Sequence, residues 1–165
     1  MPLFFYQTAI GKIGIAEDNG NITNIFFEND PLPKNVEIAE SKTIKEAARQ
    51  LNAYLSKELK EFSVSLAPKG TNFEKRVWKA IADVPCGKTA SYQDIAKKIG
   101  NERLARAVGA ACAKNPVLIF IPCHRIIAKN GKCGGYKRGV ALKIWLLNLE
   151  KNFIFLQKKT RCFAC

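Results

Sequence analysis

Ser91-Tyr-Gln-Asp-Ile-Ala-Lys-Lys-Ile-Gly100-Asn-Glu-Arg-Leu-Ala-Arg-Ala-Val-Gly109-Ala-Ala-Cys-Ala-Lys-Asn115-Pro116 reads as two short helices across a glycine turn. Ser91 can cap a helix over 92–99, with Ile95, Ala96 and Ile99 facing inward. Gly100 suits the left-handed position that closes it. A second helix is predicted from about Glu102 to Ala113 and must stop near Asn115, because Pro116 disfavours helical backbone in the residue before it. This is helix-turn-helix arithmetic, and it predicts a mainly α region. The second helix carries Ala105, Ala107, Gly109, Ala110, Ala111 and Ala113. Few of these side chains could read base edges. Such a surface either lets the backbone approach a narrow groove closely or packs the helix against a neighbour. A helix of about 10–12 Å fits the DNA major groove of about 12 Å but not an ordinary minor groove of about 6 Å.

Upstream, Thr71-x-x-Glu74 is a capping box opening a helix with Phe73, Val77, Trp78 and Ile81 on one face. Ala67-Pro68-Lys69-Gly70 reads as a linker. The residues before it read as a small α/β unit. Strands are predicted over 3–9, 12–16 and 22–27, with a tight turn at Asp18-Asn19-Gly20. Thr43-x-x-Glu46 is a second capping-box pattern, and the apolar positions after it recur at helical spacing. A short strand is predicted over 62–66. The expected organisation is therefore a scaffold subdomain over 1–66, a linker over 67–70, a working subdomain over 71–153 and a tail over 154–165. The tail holds a lone Cys162-x-x-Cys165 pair.

Charge divides the same way. The chain has 165 residues with 27 Lys and Arg against 14 Asp and Glu, net +13. Residues 1–70 hold 8 basic and 9 acidic side chains; residues 71–165 hold 19 and 5. The positive field thus belongs to the second part, and a polyanion such as nucleic acid is the expected partner. No apolar run reaches the roughly 18 residues of a membrane span. The longest, Pro116-Val-Leu-Ile-Phe-Ile-Pro122, is predicted to be a buried strand. The N-terminus shows no signal-peptide pattern, and a cytoplasmic location (nuclear in a eukaryote) is expected. The six cysteines are expected to be free thiols.

The chemistry concentrates in Ile121-Pro122-Cys123-His124-Arg125-Ile126. His124 is the only histidine in the chain. A thiolate is the reactive form of cysteine, and a nearby base or cation raises its fraction. Neighbours on an extended segment point to opposite faces. Either the chain turns at Cys123, or a water bridges thiol and imidazole. Cys112 and Cys133 fit no zinc-ligand spacing.

Pro122-Cys123-His124-Arg125, preceded by Arg106-Ala-Val-Gly109 and Asn115-Pro116, resembles the O6-alkylguanine-DNA alkyltransferases. Ser91-Tyr92-Gln93, Gly134-Gly135-Tyr136 and Trp145-Leu146-Leu147 through Glu150 extend the resemblance over roughly residues 71–150. It implies a ribonuclease-H-like α/β subdomain before the helical one. It also implies single-use transfer of an alkyl group from O6-alkylguanine in double-stranded DNA, with O4-alkylthymine a second candidate substrate. On that resemblance Cys123 attacks the alkyl carbon, His124 takes the thiol proton through a water, and Glu150 holds the imidazole. Tyr92 protonates the leaving guanine, and Asn115 ties the second helix to the Cys123 loop. Tyr136, the Lys137 backbone N–H, Ile126 and Arg138 would line the base pocket, Arg138 narrowing its mouth. Arg106 would fill the space left by the flipped base. Tyr92 would also sit beside the flipped nucleotide's phosphate, and Ala105, Gly109, Arg103 and Lys114 would complete the DNA face. No metal or organic cofactor is implied, and the protein is expected to act as a monomer. Three other readings compete: a non-catalytic alkyltransferase-like binder, a helix-turn-helix regulator and a cysteine hydrolase. The first would lack the nucleophile, the second needs base-reading side chains, and the third needs turnover.

Overall fold

In the computed structural model residues 1–162 are described, with side chains described through 153. Two compact units emerge. The first is Met1–Lys69 with Pro116–Leu118; the second is Gly70–Asn115 with the chain from Ile119 onward.

The first unit is a four-stranded sheet ordered β3-β2-β1-β4, with one helix on it. Strands β1 (Pro2–Thr8), β2 (Gly11–Asp18) and β3 (Asn21–Phe27) form an antiparallel meander, and β4 (Glu37–Ile38) pairs parallel to β1. The second hairpin closes where Asp18 faces Asn21, with Asn19 at φ 50° and Gly20 at φ 77°. Those two positive angles are what the Asn-Gly pair supplies. Helix α1 (Lys42–Leu55) buries Ile44, Ala47, Leu51 and Tyr54, and Leu3, Ile13, Ile15 and Ile22 of the sheet are buried with them. Three expectations change here. The cap of α1 is Ser41, whose hydroxyl accepts from the Ile44 N–H at 3.1 Å; Thr43 lies inside the helix, and Glu46 pairs with Arg49 instead. The predicted strand over 62–66 reduces to a single bridge between Ile22 and Leu66. The apolar run 116–122 is buried but irregular. A continuous apolar run reports burial and not backbone shape, and Ile119 turns the chain at φ 77°.

The second unit is helical. In α2 (Asn72–Ala82) both halves of the Thr71/Glu74 capping box are made. Strand β5 (Ala90–Ser91) leads into α3 (Tyr92–Lys98), whose cap Ser91 forms a reciprocal box with Asp94. Gly100, at φ 102°, closes the helix. The second predicted helix divides into a 3₁₀ turn, Glu102–Leu104, and α4 (Ala105–Ala113). A 3₁₀ turn, Cys123–Arg125, precedes β6 (Ile126–Ile127), which pairs parallel to β5. Helix α5 runs over Val140–Cys162. Of the Cys162/Cys165 pair expected in a tail, Cys162 is the last residue of α5, while its side chain and Cys165 lie outside what is described. No described helix is long and apolar enough to cross a membrane.

One contact fixes α4. The Trp78 indole N–H of α2 donates to the Ala111 carbonyl at 2.9 Å, satisfying an acceptor near the helix end. Gly70 lets that ring sit close, since a Cβ there would lie 2.5 Å from it. Trp78→Phe removes this donor, leaving the Ala111 carbonyl only the Lys114 N–H at 3.2 Å, and should lower stability by about 1 kcal/mol. Thermal denaturation of the two proteins measures it.

Candidate active site

Local backbone geometry presents the thiol. Pro122 has φ −82° and ψ 61°, and the Cys123 N–H donates to the Ile121 carbonyl at 2.8 Å. That is an inverse γ-turn, whose φ proline presets. The Arg125 N–H then donates to the Pro122 carbonyl at 2.9 Å, closing the 3₁₀ turn. The chain therefore does turn at Cys123. Asn115, fully buried just beyond α4, donates from Nδ2 to the Ile121 carbonyl at 3.0 Å and to Cys123 Sγ at 3.1 Å.

His124 and Arg125 both turn onto Glu150 of α5. The His124 Nε2–Glu150 Oε1 distance is 2.8 Å. The Arg125 guanidinium donates to both carboxylate oxygens, Nε at 3.1 Å to each and Nη2 at 2.9 Å to Oε1, while its Nη1 donates to the Val84 carbonyl at 2.6 Å. The Gly87 N–H adds a bond at 3.0 Å. Burial pushes the Glu150 carboxyl up, but the hydrogen bonds from His124 and Arg125 outweigh it and hold the group at about 2. Burial drives His124 below its ordinary value against the pull of Glu150. The arrangement is a neutral imidazole against an ionised, well-bonded carboxylate, which suits a base awaiting one proton. Arg125 thus serves the carboxylate.

Cys123 is 3% exposed, and its thiol is pushed well above the ordinary value by a hydrogen bond with Cys112 and by burial. It rests as a thiol. It opens onto a cavity of about 390 Å³ lined also by Tyr92, Gly109, Cys112, Ala113, Gly135, Tyr136 and Lys137. This is the size of a small-molecule site. Burial, then the neighbouring Cys112 and Cys123, raise the Tyr92 phenol, so it is kept protonated. The Tyr136 hydroxyl is buried with no hydrogen-bond partner among the described residues. The Lys137 ammonium reaches the Asn115 carbonyl at 3.4 Å.

Two pocket expectations need correcting. Ile126 does not line the cavity: it is fully buried in the β5–β6 pair, and only its carbonyl takes part, as an acceptor. Arg138 is not among the lining residues either; its charge acts on Tyr136, whose phenol it draws downward against burial.

One buried group escaped the sequence reading. Lys143 of α5 is fully buried; its Nζ donates to the Ile126 carbonyl at 2.5 Å and the Gly135 carbonyl at 3.2 Å, and lies 5.9 Å from the Tyr92 ring centre. It joins the Cys123 turn to the cavity loop. Burial lowers it, and the facing Cys133, Cys112 and Cys123 raise it. The available signal was spacing. Lys143, Leu146 and Glu150 stand at i, i+3 and i+7, so both charges lie on the apolar stripe of α5.

A second cavity, about 450 Å³, opens beside the first. Tyr92, Gln93, Glu102, Ala105, Arg106, Gly109, Ala128 and Lys129 line it, and Tyr92 and Gly109 are common to both. Arg103 and Arg106 are exposed. Lys114 is exposed, and its ammonium lies 3.0 Å from Glu74 Oε1. No group of three metal-ligating side chains occurs among the described residues.

The comparisons agree with this geometry. A family model for the DNA binding domain of 6-O-methylguanine DNA methyltransferase matches residues 72–152, and one for that family's ribonuclease-like domain matches residues 4–68. The chain belongs to the 6-O-methylguanine DNA methyltransferase family. A methylated-DNA–protein-cysteine methyltransferase of Methanosarcina acetivorans is 43% identical over 150 residues, covering 88% of this chain and 95% of that protein. A constitutive one from Bacillus subtilis is 38% identical over 152 residues, covering 88% and 92%. The crystal structure of Mycobacterium tuberculosis OGT in complex with DNA superposes with a TM-score of 0.87 at 38% identity, covering 93% of this chain and 94% of that one. The α/β unit followed by a helical unit is therefore this family's two-part fold.

The carboxylate network of this family member carries a pH signature. Glu150 is held at about 2, below the ordinary 4.5, so its contribution is complete above the unfolded value and vanishes as pH falls through the folded one. Stability should drop between about pH 5 and 2, and Glu150→Gln should flatten that limb. At neutral pH the variant leaves Arg125 buried without its counter-charge and should be less stable by about 3–5 kcal/mol. Urea titrations at stepped pH check both expectations.

Proposed function

We propose that this chain repairs DNA by direct reversal, moving the alkyl group of O6-alkylguanine onto Sγ of its own Cys123. The observation that carries the reading is a buried thiol opening onto a base-sized cavity, beside a neutral imidazole bonded to an ionised carboxylate. Family membership and relatives named methylated-DNA–protein-cysteine methyltransferase support it. O4-alkylthymine presents the same alkyl–oxygen bond and is the second substrate class.

The damaged nucleotide leaves the stack and enters the cavity, which costs a few kcal/mol. Arg106 occupies the vacated space, while Ala105 and Gly109 admit the minor-groove wall. Arg103 and the other exposed cations grip phosphates without reading sequence. In the cavity the Cys123 proton passes to His124 through a water, and Glu150 stabilises the imidazolium that forms. Sulfur bonds to the alkyl carbon as the carbon–O6 bond breaks, and Tyr92 gives its proton to the guanine. Tyr136 and Lys137 hold the base. The thioether cannot be hydrolysed, so each molecule acts once, and no cofactor enters. The protein acts as a monomer on duplex DNA in the cytoplasm, or in the nucleus of a eukaryote. Within it, 71–153 works, 1–66 is scaffold and 67–70 is linker. A non-catalytic alkyltransferase-like binder would lack the thiol that here lines the cavity.

Intact mass spectrometry after incubation with an O6-methylguanine duplex should show one added methyl group, mapped to Cys123 and absent in Cys123→Ala. DNA binding with no mass change would favour the binder. Gly109→Ala separates fold from function. A Cβ there meets Tyr92 at 3.8 Å, an ordinary contact. The variant should match or exceed the parent in stability by about 1 kcal/mol, since Ala suits a helix better than Gly. Because Gly109 borders both cavities, transfer to duplex substrate should slow by about tenfold, equivalent to about 1.4 kcal/mol. Single-turnover kinetics on methylated duplex reads this directly.

A further inference from the structure

The proposed alkyl transfer uses one thiol, but the cavity holds two. Cys112 lies near the end of α4, partly exposed, and lines the same cavity as Cys123. Each thiol shifts the other's titration, Cys123 upward and Cys112 downward. Asn115 fixes both partners: its backbone N–H donates to the Cys112 carbonyl at 3.2 Å, and its side-chain Nδ2 donates to Cys123 Sγ at 3.1 Å. Neither cysteine is in a disulfide. Both side chains face the same cavity, where side-chain rotation can bring the two sulfurs toward the S–S distance of about 2.05 Å.

We propose that Cys112 and Cys123 form a reversible disulfide that shields the alkyl-accepting sulfur from peroxide, with hydrogen peroxide as oxidant and a small dithiol as reductant. This rests on Cys123 being the alkyl acceptor. Cys112 is the more open of the two, and its hydrogen bond with Cys123 draws its thiol downward against burial. Its thiolate attacks one peroxide oxygen, the O–O bond breaks, and Cys112 becomes a sulfenic acid while hydroxide leaves and is protonated. Cys123 Sγ then attacks the Cys112 sulfur. The S–O bond breaks, the Cys123 proton leaves with the departing oxygen as water, and the S–S bond forms. Two thiols and one peroxide give one disulfide and two waters. A dithiol returns two electrons and two protons by thiol–disulfide exchange.

The device suits a nucleophile that works once. Over-oxidation of Cys123 to a sulfinic acid would remove the molecule as surely as alkylation does. The disulfide stores the same sulfur in a recoverable form. It also ties α4 to the Cys123 turn across the cavity, so the oxidised protein cannot accept a base.

The test uses the full chain. Peroxide-treated protein is blocked with N-ethylmaleimide, digested without reduction and mapped by mass spectrometry; in parallel, methyl acceptance from an O6-methylguanine duplex is titrated before and after dithiothreitol. The expected result is a Cys112–Cys123 linked peptide lighter by two hydrogens, loss of methyl acceptance in proportion to that peptide, and recovery of both on reduction. In Cys112→Ser, compared with its own reduced state, peroxide should cause a loss that dithiothreitol does not restore. Linkage of Cys123 to Cys133 or Cys86, direct oxidation of Cys123 to sulfinic acid in the parent, or absence of any linked peptide overturns the proposal. The peptide map does not depend on methyl transfer. A linked peptide in a chain that accepts no methyl group would therefore fault the alkyl-transfer reading and leave the disulfide standing.

Discussion

The site depends on one buried carboxylate. Glu150 is 1% exposed and receives His124, a bidentate Arg125 and the Gly87 N–H. Those donors come from the Cys123–Arg125 turn and from the loop after α2, so a single charge on α5 ties three pieces of chain together. Taking a carboxylate out of water is expensive, and a lone pairing seldom repays it. Here three groups share the negative charge, and Arg125 carries the compensation onward to the Val84 carbonyl. The fold thus holds the imidazole at a fixed orientation before any substrate arrives, with a partner ready for the charge it will acquire.

Lys143 plays the matching part on the other side of the cavity. It stands two helical turns before Glu150 and bonds to the carbonyls of Ile126 and Gly135. The first carbonyl adjoins the nucleophile's turn and the second adjoins Tyr136. Its charge also faces the three nearby cysteines. A cation there steadies any thiolate that forms without contacting the base of the cavity through its own side chain. One face of α5 therefore presents an anion to the histidine and a cation to the sulfur side, seven residues apart.

The sequence made the chemistry legible because it is local. Pro122-Cys123-His124-Arg125 is contiguous, and the Thr71/Glu74 and Ser91/Asp94 caps involve residues three apart. Errors arose where a neighbour outside the window decided the outcome. Thr43 lost the capping role to Ser41 because Ser41 is already extended, with its hydroxyl placed on the Ile44 N–H. Ile126 follows the right motif, but its place in the β5–β6 pair buries it outside the cavity lining. Lys143 reads as a solvated helix charge unless the apolar stripe through Leu146 is followed in register to Glu150.

The resting protonation states suit a protein that is consumed by its own reaction. A permanently ionised Cys123 would meet any passing electrophile, and each encounter would remove a molecule from use. The structure holds the sulfur as a thiol through burial and its bond to Cys112, and keeps His124 neutral beside an ionised Glu150. In the proposed reaction, proton transfer from sulfur to imidazole creates a thiolate and an imidazolium together, and both charges have partners waiting. The thiolate has the Asn115 amide and the Lys143 field, and the imidazolium has Glu150. A base filling the cavity excludes water and strengthens those interactions. On that proposal reactivity is tied to occupancy, and selectivity for damaged DNA follows from the same packing that keeps the thiol quiet.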